Sequence, residues 1–156
     1  MSTIRSQALG RLMSALAGSP LPSGVPQVID TPGISVIEST LPSLALFVDN
    51  DTIEQVKASG GGTGPIFKRH LLVRLEVRQK AVVGSSARDQ AEPILAWISK
   101  AIGTVDVANP SRVAHTIHEG DTKWETVSES DTPVCLATVD VHLDYQHRVG
   151  DAEQWA

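Results

Sequence analysis

The sequence predicts an α+β domain: a mixed, mainly antiparallel sheet with long strands, packed against two helices. Two alternating segments carry the sheet, Ile66 to Arg78 and Val134 to His147. In the second, Cys135, Ala137, Val139, Val141, Leu143 and Tyr145 fall on one side; Thr138, Asp140, His142, Asp144 and Gln146 fall on the other. A period of two means one dry face and one wet face. At ~3.3 Å per residue such strands span about 43 to 46 Å, while a domain of this length is about 40 Å across. Strands that cross the whole domain suit a part that joins other parts better than a closed catalytic pocket.

The first helix is predicted over Ile4–Leu16, where Ile4, Ala8, Leu9, Leu12, Met13 and Leu16 share a face. Ser2 or Thr3 can cap it, and Gly18 with Pro20 ends it. Pro20, Pro22, Pro26 and Pro32 then mark an extended connector. Two short strands follow, Ile34–Glu38 and Leu44–Asp49, and then Asn50–Pro65, which reads as a long flexible loop or hairpin tip around Gly60-Gly61-Gly62. The long strand carries Val73, Leu75 and Val77 on one face and Arg74, Glu76 and Arg78 on the other, preceded by Lys68, Arg69 and His70.

The second helix lies within Ser85–Ile102, with Ala91, Ile94, Leu95, Ile98, Ala101 and Ile102 as its stripe and Trp97 off it. Asp89 and Glu92 have capping-box spacing, which puts Pro93 near the first turn, and Gly103 is the expected stop. The last third reads as an antiparallel meander: Arg112–Glu119, a Gly120-Asp121 turn, Lys123–Ser128, a turn over Ser130–Pro133 and the final long strand. A polar tail, about 149–156, ends near Trp155.

At 156 residues, 41% hydrophobic and 20% charged, the chain is predicted to be one domain spanning 1–156 with an ordinary globular core. It contains no apolar run long enough to span a membrane, and Arg5, Gln7 and Arg11 interrupt any signal-like stretch. The net charge of −5 runs against nucleic-acid binding. A single cysteine, Cys135, excludes an internal disulfide and, on an apolar strand face, reads as a small buried hydrophobe.

No catalytic constellation accompanies the strands. The glycine run lacks the Gly-Lys-Ser/Thr of a phosphate loop, and no Gly-x-Ser-x-Gly is present. His115 and His118 stand three apart on a strand, so they face opposite sides and cannot ligate one ion. His142 with Asp140 and Asp144 shares a wet face that could hold a cation or a proton, though a solvated surface is the simpler reading. The reading is therefore a chain with no enzyme activity, no cofactor and no metal.

The order of elements resembles the tail terminator proteins of tailed bacteriophages. The resemblance rests on the helix Ile4–Leu16, the Pro-rich connector and the Ile34-Ser35-Val36-Ile37-Glu38 strand. It continues through the strand Leu71–Val77, the helix Ala91–Ile102, the Trp124-Glu125 strand and the closing Val139–Tyr145. It implies a homo-oligomeric ring of six subunits, made in the host cytoplasm and built into the virion. The ring caps the tail tube, stops its polymerisation and offers a surface to the neck or connector protein. DNA passes through without specific binding. Interface candidates are Lys57, Gly61 and Thr63 in the loop about 57–65, and Lys68, Arg69, Arg74, Arg78, Asp140, His142 and Asp144 on the long strands. Alternatives are another neck component (a head-tail joining or tail-completion protein) or a small ligand-binding or enzymatic α+β domain.

Overall fold

Period-two burial runs through the long strands of the computed structural model, which describes residues 4–18, 43–56, 66–81, 84–107, 115–127, 133–148 and 151–155. The elements are α1 (Ile4–Gly18), β1 (Ser43–Val56), β2 (Ile66–Lys80), α2 (Ala87–Val107), β3 (His115–Val127), β4 (Val134–Arg148) and β5 (Asp151–Trp155). The sheet order is β1-β2-β4-β3, with β5 pairing the end of β4. Every described pairing is antiparallel. The α+β class with a mainly antiparallel sheet and two helices is therefore as predicted. The meander is not: β2 and β4 form the centre, each carrying its own hairpin partner outward. They pair along their whole length, from Ile66 opposite Arg148 to Lys80 opposite Val134.

Both helices lie on one face. Leu71, Val73, Leu75 and Val77 of β2 and Ala137, Val139, Val141 and Leu143 of β4 are buried beneath them. Ala8, Leu12 and Leu16 of α1 and Ala91, Ile94, Ile98 and Ala101 of α2 close the core. Each buried Leu or Ile contributes about 1.5–3 kcal/mol. The other face of the sheet carries the alternate residues.

Two bulges decide which residues reach the helices. On β1, Val48 stands opposite Val73 but Asn50 opposite Leu72, so Asp49 is an extra residue. On β3, Glu119 stands opposite Val141 but Thr122 opposite Val139, so Gly120 and Asp121 together face the span of Asp140. An extra residue reverses the parity of everything beyond it. Ile117 and Trp124 are seven apart and would face opposite ways on a regular strand. Across the bulge both take the helix side, Ile117 buried and Trp124 packed on the core edge.

Several expectations are corrected. The predicted Gly120-Asp121 turn is the bulge inside one continuous strand. The predicted loop from Asn50 is strand as far as Val56: the bulge sets Asp51 on the helix side, where Arg69 (3.3 Å) and Arg5 of α1 (3.7 Å) reach its carboxylate. Helix α2 begins two residues before Asp89, because Ser86 Oγ accepts the Asp89 amide at 3.1 Å and caps it. Pro93 therefore lies inside the helix rather than at its start. Gly103 does not stop α2, which runs on to Val107. Trp97 is in the core, 6% exposed, because Ile94, Trp97, Ile98 and Ala101 are spaced i, i+3, i+4 and i+7. Part of the polar tail forms β5. The predicted strand Ile34–Glu38 and the turn at 130–132 lie outside the described residues.

Candidate functional site

The register assembles the open face row by row. Thr52, His70, Asp144 and Thr116 line up across β1, β2, β4 and β3, since Thr52 pairs His70, His70 pairs Asp144 and Thr116 pairs Asp144. In the next row His118 of β3 stands opposite His142 of β4. Residues directly opposite, and those on the diagonal, lie within side-chain reach. Three histidines from three strands thereby meet. The rings of His70 and His142 stack with centroids 5.1 Å apart at 30°, and those of His142 and His118 at 5.1 Å and 18°.

This ladder is wired at one end. His70 Nδ1 hydrogen-bonds Asp144 Oδ1, and His70 Nε2 lies 3.1 Å from His142 Nδ1. With Asp144 ionised, His70 Nδ1 carries the proton it donates, and a single proton is shared between His70 Nε2 and His142 Nδ1. Thr116 Oγ1 donates to the other Asp144 oxygen at 3.5 Å. Gly120 makes room for the middle ring. A Cβ there would sit 2.5 Å from His142 Nε2 and 3.3 Å from the Asp140 carbonyl oxygen. A groove of about 380 Å³ lies over the row, bordered by Thr52, Glu54, Lys68, His70, His118 and Asp144.

The arrangement suits protons better than metals. His70 spends both nitrogens on neighbours, Asp144 and His142. Among the described residues, no three His, Cys, Asp or Glu side chains are disposed to hold an ion.

The predicted interface residues divide. Arg74 is held by Asp140 (3.1 Å) and Asp49 (3.0 Å), and Arg78 by Glu76 (2.7 Å). The basic stretch on the open face is thus largely neutralised within the sheet. Lys68 stands opposite Glu54 at the groove. Arg69 leaves this group altogether: odd-numbered on β2, it takes the helix side, opposite Tyr145, and binds Asp51. Asp140 and Asp144 flank His142 as expected, but bind Arg74 and His70. Lys57, Gly61 and Thr63 lie outside the described residues. The partners of His142, namely His70 and His118, are what residue spacing missed. In the register His115 stands opposite Tyr145 and His118 opposite His142.

Two groups beneath the sheet are shifted. Burial pushes the Cys135 thiol up, against a smaller opposing pull from Arg88, which fits its buried place. Burial, and then the charge of Asp51, push the Tyr145 phenol up, while Arg69 and Arg5 oppose the shift.

No family model matches this chain, and no curated protein matches it in sequence. Among the described residues, no helix is long and apolar enough to cross a membrane.

Proposed function

We propose that this chain is a structural subunit of a phage virion, similar in role to tail terminators. Copies form a closed ring of six on the end of the tail tube, halt its growth and present a surface to the neck. The observation that carries the reading is the pair of long outer strands. In the order β1-β2-β4-β3, β1 has 14 residues and β3 has 13, and each lies at a border of the described sheet. Such borders are templates for pairing with another chain. Head-to-tail pairing of β1 on one copy with β3 on the next is heterologous, and it closes into a ring when the rotation fits. Ile53, 52% exposed on β1, is a large apolar side chain at that border. The neutralised basic stretch and the net charge of −5 suit a lumen through which DNA slides rather than sticks.

The test is mass by light scattering, with electron microscopy of the purified chain alone and added to polymerising tail-tube protein. The expected result is a six-membered ring, or tubes that stop at a capped end. Ile53→Lys should shift the assembly toward monomer. A monomer in both settings, with tube length unchanged, would overturn the reading. Binding to portal-side proteins instead of the tube would favour another neck component. The linked His70, His142 and Asp144 give a proton-handling ligand site as a second reading, which predicts a monomer or dimer whose ligand binding is lost in His142 variants.

A further inference from the structure

We propose that the His70–His142–His118 ladder is a proton-binding site that acts as an acid-operated latch on the N-terminal half of β3. Besides its backbone ladder with Val141–Tyr145 of β4, two contacts among the described residues hold that half on the open face: the stacking of His118 on His142, and the Thr116–Asp144 hydrogen bond. On the other face it is held by Ile117 in the core and by Ser99 Oγ donating to Glu119 at 2.6 Å. As an outer strand its open-face attachment depends on how many protons the ladder carries.

The ladder takes one extra proton without losing a hydrogen bond. In the neutral arrangement His70 Nδ1–H donates to Asp144 and His142 Nδ1–H donates to His70 Nε2. A proton arriving at His142 Nε2 lets the Nδ1 proton pass to His70 Nε2. His70 is then an imidazolium paired with the Asp144 carboxylate, and His142 is neutral in its other tautomer. The 3.1 Å link survives with its direction reversed. A second proton on this pair has no such place. It would set two N–H donors facing each other across that distance and put adjacent positive charges at the centre of the stack.

The surroundings do not relieve it. On β4, Asp144 is already committed to His70, and Asp140 to Arg74. From β1 and β2, Glu54 stands opposite Lys68. From β3, Asp121 lies at the bulge and Lys123 beyond it, opposite Thr138. No described helix packs on this face. The middle ring must therefore leave the stack, and the contact that fastens His118 goes with it. Imidazole is the side chain whose charge ordinarily changes between pH 5 and 8, and that interval sets the two pH values of the test.

The test is amide hydrogen exchange on the intact chain at pH 8 and pH 5, corrected for the intrinsic pH dependence of exchange, with imidazole nitrogen NMR alongside. Amides of Ile117–Glu119 should exchange at least about tenfold faster at pH 5, while those of Val73 and Leu75 change little. His142 should switch tautomer before it becomes charged. His142→Phe keeps a ring in the stack but removes the proton site, and should cut the acid response to under about twofold. Should that variant fail to fold, His70→Gln serves: its amide can face either tautomer of His142, so the response should again be lost. An unchanged acid response in the folded variant, or none in the wild type, would overturn the latch.

Discussion

Gly120 occupies a position where the missing side chain is the point. It sits in the β3 bulge against the His142 ring, where a Cβ would lie 2.5 Å from Nε2. The far end of a ring can swing away, so Gly120→Ala should fold, at a cost of about 1–2 kcal/mol from displaced packing. Urea unfolding gives the cost, and loss of His142 contacts in the imidazole NMR spectrum would show where it falls. A second residue-scale prediction concerns Tyr145, the single tyrosine of the chain. Its folded-state value is raised, first by burial and then by Asp51. Folding thus favours the neutral phenol. The stability this lends is whole below the unfolded value, near 10, and is lost as pH rises through the folded value. Alkaline titration followed at the phenolate absorbance band should show ionisation lagging that of free tyrosine and arriving together with unfolding. Ionisation at the ordinary value in a still-folded chain would contradict it.

At the scale of elements, the ends and irregularities govern. Helix α2 starts where Ser86 caps it, with the Asp89 amide at 3.1 Å and the Gln90 amide on the Ser86 carbonyl at 3.1 Å. Ser86→Ala should cost about 1 kcal/mol, read as a lower urea midpoint with an unchanged slope. The Asp89–Glu92 spacing points to a later start because a capping signal has no knowledge of which serine upstream is available. The long strands β2 and β4 are legible because their alternation is unbroken. Strands β1 and β3 are only partly legible for the converse reason. Each contains one extra residue, and a reversal of parity looks, along the chain, like the end of a strand. Asp49-Asn50 and Gly120-Asp121 have turn chemistry, yet the backbone beyond each finds its partner again.

For the molecule as a whole, composition and alternation alone determined an α+β domain with long strands, one dry sheet face and two amphipathic helices. Those properties are local, since each residue's contribution is set by its neighbours three or four places away at most. Alternation likewise placed Asp140, His142 and Asp144 on the wet side. Only tertiary structure decided that β2 and β4 are central and that His70, His142 and His118 form one ladder. Arg69 shares the parity of Leu71 and Val73, so its turn toward the helices was already written in the alternation; only its partner, Asp51, was not. The strand order and the ladder depend on the register between strands far apart in the chain, from Lys80 opposite Val134 to Ile66 opposite Arg148, and a shift of one residue would send every side chain to the opposite face. The core and the bulges fix that register together, and neither is visible in any one segment of the chain.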